Sequence, residues 1–124
     1  DYVNIHDVVD ANLLALEDER AAGRAYNVGG GTPYTTAEFA EIVRRQYGSD
    51  KPGVVSGEYR FGDTRHIISD IAALEELGWK PRRTPVDSVA EYAAWLDGMP
   101  GLDEILAAAD AKMRELGVVR KADS

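Results

Sequence analysis

Apolar residues recur at helical spacing in five separate stretches of this chain, and a glycine follows each one. Val9, Leu13 and Leu16 form the first stripe, closed by Gly23; Phe39, Ile42, Val43 and Tyr47 form the second, closed by Gly48. Ile71, Leu74 and Leu77 precede Gly78, while Val86, Val89, Ala93 and Leu96 precede Gly98. Leu102, Ile105, Leu106, Ala109, Met113 and Leu116 lie on one side of a last helix that stops at Gly117. Start signals accompany the stripes. Asp7 can cap the first helix; Thr35 and Glu38 form a capping box for a helix at about 36–47; Ser69 or Asp70 can cap the third. Thr84-Pro85 opens the fourth with a cap followed by proline.

Extended segments are few and short. Tyr2–Ile5 and Ala25–Val28 read as strands, and Val54-Val55 as a third between loops within Ser49–Gly62. Strand, helix, strand, helix and then further helices predict an α/β fold. It would have a small, mostly parallel sheet of two or three short strands packed by helices. So thin a sheet would be easier to understand against a larger neighbour. Met99-Pro100-Gly101 is the one break that divides the chain, into residues 1–98 and a helical extension, 99–124, whose charged end from Arg120 to Ser124 is expected to fray.

The 124 residues, 44% of them hydrophobic, are enough for one core without staples. With 14 basic against 22 acidic side chains the net charge is −8, which argues against a nucleic-acid module, because backbone binding requires a basic face. Apolar runs of four or five residues are far too short to cross a membrane. With no cysteine, thiolate metal sites and a cysteine nucleophile are excluded, and the composition is compatible with a reducing, cytoplasmic compartment. The chain begins Asp1-Tyr2-Val3 without methionine, as expected of a piece of a longer polypeptide.

Few motifs carry chemistry. Gly29-Gly30-Gly31 before a helix invites a phosphate cradle, but as G-x-G-x-x-G the third glycine position falls on Tyr34, so a plain tight turn is the simpler reading. Tyr47 and Lys51 have the spacing of a Tyr-x-x-x-Lys proton-transfer pair, although Gly48 lies between them and Pro52 follows. His6 and His66 each lie near a carboxylate, where a His–Asp acid–base pair or a two-histidine metal site competes with capping and surface roles. Arg60-Phe61-Gly62-Asp63-Thr64-Arg65-His66 is the most informative stretch. Two arginines around a Gly-Asp turn would form a compact fork for a diphosphate, with Asp63 able to accept from sugar hydroxyls.

In this order the motifs resemble the C-terminal part of the extended short-chain dehydrogenase/reductase family, the NAD-dependent nucleotide-sugar epimerases and dehydratases. The resemblance rests on Asp1-Tyr2-Val3-Asn4-Ile5-His6-Asp7-Val8-Val9 and on Tyr26-Asn27-Val28-Gly29-Gly30-Gly31 followed by the capped Thr36-x-Glu38-Phe39-Ala40-Glu41-Ile42 helix. It continues through Arg60-x-Gly62-Asp63-x-Arg65-His66, Ser69-Asp70-Ile71 and Leu77-Gly78-Trp79-x-Pro81, so that it spans residues 1 to about 97. Asn4 stands where the family often has histidine, and the helix from 102 lies beyond the usual end.

The resemblance implies the C-terminal subdomain of a Rossmann-type enzyme. The N-terminal Rossmann domain, absent here, would carry NAD and the catalytic groups, and this chain would grip the nucleoside diphosphate of a nucleotide sugar. It would do so through Arg60, Asp63 and Arg65, holding no catalytic residue, cofactor or metal, and would be inactive alone. Two rivals stay open: a stand-alone interaction module docking, or homodimerising, through the Leu102–Leu116 stripe, and a small acid–base enzyme built on His6 or His66.

Overall fold

A computed structural model describes residues 1–122. Five helices dominate: α1 (Ile5–Glu17), α2 (Thr36–Gln46), α3 (Ala72–Glu75), α4 (Pro85–Leu96) and α5 (Leu102–Glu115). Two three-residue strands, β1 (Glu58–Arg60) and β2 (Val119–Lys121), complete the described elements, with a single 3-10 turn at Glu19–Ala21.

The local start signals of α2 and α4 are realised. Thr35 and Glu38, and Thr84 and Asp87, form reciprocal capping boxes, with Pro85 at the first turn of α4. In each box the carboxylate accepts from the cap backbone and hydroxyl, which holds Glu38 and Asp87 below the ordinary carboxylate range.

α1 departs from the expectation. Its N-cap is Asn4, whose side chain accepts from the His6 amide at 2.8 Å, so the segment expected as a strand over Tyr2–Ile5 forms none and turns helical at Ile5. Asp7 is no cap. It is 1% exposed on the inner face of α1 beside Ala11, while Val9, Leu13 and Leu16, expected as the buried stripe, are 47%, 50% and 82% exposed. Asp7 is satisfied where it lies: Oδ2 accepts from the Arg82 and Arg83 amides at 3.0 and 2.9 Å, and Oδ1 from the Arg83 guanidinium at 2.8 Å. A carboxylate can stay buried when several donors replace its water.

The core is small. Ala11, Ala21, Leu74, Leu77 and Trp79 form it, with Leu14, Ala15, Tyr26, Val28 and Ile71 half-buried against them. Trp79 Nε1 donates to the Asp7 carbonyl at 3.2 Å, which joins the α3–α4 connection to α1. α2 packs mainly on α4, whose inner residues are Val89 and Ala93; Val86, expected beside them, is exposed. Asn4 Nδ2 donates to Ser88 Oγ and Glu91 Oε2 at 3.0 and 3.3 Å, fastening α4 to the start of α1.

The sheet is antiparallel, not parallel. β1 and β2 pair with Tyr59 opposite Arg120, and among the described residues neither 2–5, 25–28 nor 54–55 forms a ladder. A strand needs a partner at ladder distance, and apolar alternation alone does not supply one. Arg120 and Lys121, expected in a frayed end, belong to β2; residues 123 and 124 lie outside the described residues.

Much apolar surface stays open. The chain exposes 9622 Å², against about 6,500 Å² for a compact protein of this mass. Ile5, Val9, Leu13 and Leu16 on α1, Tyr92 and Trp95 on α4, and Ile105 and Leu106 on α5 are all about half exposed or more. None of the described helices is long and apolar enough to cross a membrane.

Candidate functional site

A cleft of about 980 Å³ lies between α2 and the segment that returns from it to β1. Gly48, at φ 55°, ends α2 in the left-handed region that glycine adopts without strain, and the chain folds back there. The Ser49 amide donates to the Arg44 carbonyl at 3.0 Å, and the Arg44 guanidinium donates in turn to the Ser49 carbonyl, so the return is clamped at its first residue. Ala40, Val43 and Tyr47 line the helix wall; Val54, Val55 and Glu58 line the other.

Charge on these walls is unevenly neutralised. Glu41 accepts from Arg44 at 2.6 and 2.8 Å and from Arg45 at 2.8 Å, and these two guanidiniums bring its carboxyl down to about 2. Glu58 is bonded by Arg114 at 3.0 Å, which lowers its carboxyl as well. Lys51 and Arg65 also line the cleft, and among the described residues their side chains take part in no hydrogen bond or ion pair. An anion entering the cleft would meet two cations that no carboxylate pairs, beside Glu41 and Glu58, which are paired elsewhere.

Arg60 and Asp63 are the two ends of one turn. The Asp63 amide donates to the Arg60 carbonyl at 3.2 Å, and Gly62 between them has φ 94°, at the third position, which a type II turn reserves for glycine. Arg60, Asp63 and Arg65 are all exposed, and only Arg65 lines the cleft. The structure thus brings Arg60 and Asp63 together through their backbone and, of the three, places only Arg65 in the cleft. Lys51, weighed in the sequence only as the partner of Tyr47, lines the cleft as Arg65 does.

The glycine turn has a different purpose from an anion cradle. The Gly30 amide donates to Asp1 Oδ1 at 2.9 Å, and the Ser69 amide to Asp1 Oδ2 at 3.0 Å, so Asp1 staples segments 29–31 and 67–70. A Cβ on Gly30 would collide with the Tyr2 carbonyl oxygen, and one on Gly29 would meet Ser69 Cβ at 2.7 Å. Glycine is demanded here by close backbone approach, and with Tyr34 in the third fingerprint position these residues do not fit a dinucleotide. Asp1 and Asn4 were missed as structural residues. Asn4 could have been found, since asparagine ahead of Asp7 at cap spacing is an N-cap signal.

The other candidates separate. Tyr47 is the C-cap of α2 and Lys51 lies beyond Gly48, so although both line the cleft they do not share a helix face. His6 Nε2 lies 3.6 Å from Glu91 Oε2 on a half-exposed surface, while His66 is in the exposed segment after Arg65. Among the described residues no three His, Asp or Glu side chains are grouped to hold a metal.

Curated proteins of known name match this chain. It is 34% identical over 97 residues to a dTDP-L-rhamnose 4-epimerase of Burkholderia thailandensis, a match covering 77% of this chain and 26% of that protein. A UDP-glucose 4-epimerase of Corynebacterium glutamicum is 36% identical over 95 residues, 75% of this chain and 29% of the relative. By sequence the chain belongs to the extended short-chain dehydrogenase/reductase family. A dTDP-glucose 4,6-dehydratase of Actinoplanes sp. is 32% identical over 96 residues, covering 77% of this chain and 30% of the relative, so the similarity extends across two kinds of reductase-family enzyme. The chain therefore spans about a quarter to a third of the length of these family members. No family model matches it, and neither does a solved structure.

Proposed function

We propose that this chain is the C-terminal, nucleotide-sugar-binding part of an NAD-dependent nucleotide-sugar 4-epimerase or 4,6-dehydratase. In this reading Arg60 and Arg65 hold the diphosphate and Asp63 accepts from a sugar hydroxyl or fixes the turn that presents Arg60. The observation that carries it is the contrast among the arginines. Arg44, Arg45 and Arg114 are each neutralised by carboxylates, whereas Arg60 and Arg65, flanking the Gly62-Asp63 turn, take part in no side-chain pairing among the described residues; Arg24 and Arg82 are unpaired too, but neither lies at the turn or lines the cleft. Unpaired guanidiniums, Arg65 in the cleft and Arg60 at the turn, are suited to a ligand that brings its own negative charge.

Residues 1–98 form the binding part and 99–124 an extension of it. NAD, the hydride transfer it supplies and the proton-transferring residues belong to the rest of the enzyme, so this chain by itself is inactive. The open apolar stripe of α1 and the surface of 9622 Å² support a piece that packs on a larger body, the N-terminal Rossmann domain. The absence of cysteine fits a cytoplasmic enzyme. Docking through α5 is a second reading, favoured by Ile105 and Leu106 at 55% and 58% exposure; it requires a concentration-dependent dimer that Leu106→Asp abolishes.

An NMR titration of the chain with UDP or dTDP tests the binding role. Two or three polar contacts working alone predict a Kd in the millimolar range, about −4 kcal/mol. Amide shifts should concentrate at residues 60–65 and weaken roughly tenfold in Arg60→Ala, while Arg45→Ala binds as the parent does. Unchanged spectra near Arg60 and Arg65 at about 10 mM ligand would remove the assignment.

A further inference from the structure

We propose that the C-terminal segment from α5 through β2 is a positioning element for the anion-binding turn, setting the affinity at Arg60 through residues that do not touch the anion. The inference rests on the proposed role of Arg60. Four contacts converge on the turn from this one segment. β2 pairs with β1 so that Val119 lies opposite Arg60. The Phe61 amide, inside the turn itself, donates to the Val118 carbonyl at 2.8 Å. The Arg120 guanidinium lies over the Phe61 ring, 3.8 Å from its centroid. From α5, Arg114 reaches across to Glu58 at 3.0 and 3.4 Å while Asp110 holds its Nε at 2.9 Å.

Without this segment β1 has no ladder partner among the described residues, and its three residues are exposed. A lone three-residue strand in a long loop would sample many conformations, and binding would have to order it at the expense of affinity. The α5 helix is capped at Leu116, and the Val118 amide donates back to the Met113 carbonyl at 2.9 Å, so β2 leaves the helix in a fixed direction. The Arg60–Asp63 turn is thereby tied to a fourteen-residue helix rather than to solvent. Arg114 is thus a positioning residue, acting on Arg60 through Glu58 and the β1 backbone.

The test uses the 124-residue chain, UDP as the probe and two readouts, UDP affinity and hydrogen exchange of the Phe61 amide. Arg114→Glu should weaken UDP binding about fivefold and speed Phe61 exchange, while Arg114→Lys, which keeps a cation for Glu58, restores both. Lys112→Glu makes the same charge change on the same helix, where the lysine pairs with Glu115 and not with β1, and should alter neither. Equal weakening by Arg114→Glu and Lys112→Glu would show a general charge effect and overturn the proposal. So would faster Phe61 exchange in Arg114→Glu with unchanged affinity. Should Arg114→Glu unfold α5, seen as lost helical circular dichroism, the comparison passes to Arg114→Gln with the same expected direction. A parent chain that binds no UDP overturns the proposed function and this coupling together; a parent that binds while Arg114 has no effect overturns only the coupling.

Discussion

Asp7 and Arg83 are joined twice, through the Arg83 amide at 2.9 Å and through its guanidinium at 2.8 Å, across a separation of 76 residues. The carboxylate is 1% exposed and the arginine side chain 35%, so the pair seals the edge of the core where α1 meets the loop entering α4. Removing the carboxylate orphans two amides and leaves the guanidinium with only a 3.4 Å contact to Asp10. Asp7→Ala should therefore cost about 3 kcal/mol or more in urea-unfolding free energy. A loss within the range of an ordinary surface substitution would show that the amides find water instead.

Gly30→Ala should be strongly destabilising, because the added Cβ runs into the Tyr2 carbonyl, a backbone atom with no rotamer to escape through. A cost of about 1–3 kcal/mol is typical of such overpacking. Gly53→Ala is the matched control, since nothing lies within 4 Å of its Cβ position. Thermal midpoints of the two variants side by side decide the point.

Leu74 and Leu13 both sit on apolar helical stripes, yet Leu74 is 1% exposed and Leu13 50%. Leu74→Ala should cost about 2–5 kcal/mol in this chain. Leu13→Gln should fall within about 0.5 kcal/mol of the parent. If Leu13→Gln unfolds the chain, the outward orientation of the α1 stripe is wrong.

Acid should loosen the C-terminal half of α2 late. The Arg44 and Arg45 guanidiniums bring the Glu41 carboxyl from its ordinary 4.5 to about 2. A carboxylate lowered on folding contributes fully above its unfolded value, and the contribution is lost as pH falls through the folded one, so the window runs from about pH 5 down to 2. Because the group lies at the surface the slope will be shallow and will shrink in high salt. Glu41→Gln should flatten the urea midpoint against pH across that window; an unchanged profile would remove the pairing as its cause.

Nearest-neighbour chemistry made parts of this fold legible. The Thr35–Glu38 and Thr84–Asp87 boxes each lie within four residues, and both helices start where those residues dictate. The Gly62-Asp63 turn was equally readable, because a left-handed backbone at that position favours glycine. Arg60, Asp63 and Arg65 stand out in the sequence as residue types, while their arrangement does not: Arg65 lines the cleft together with Lys51, and Arg60 does not.

Where the helices α2, α4 and α5 begin and end follows from their own residues, since caps, prolines and glycines act through bonds between residues a turn apart. Which face of α1 is buried and which strands pair depend instead on long-range contacts. The apolar stripe of Val9, Leu13 and Leu16 would have served as a core, but Asp7 finds its donors on the opposite side, at Arg82 and Arg83, and turns that face inward. Likewise β1 has no partner within fifty residues and becomes a strand because α5 delivers β2 beside it. Both outcomes depend on groups brought together across most of the chain, and a local pattern has no term for them.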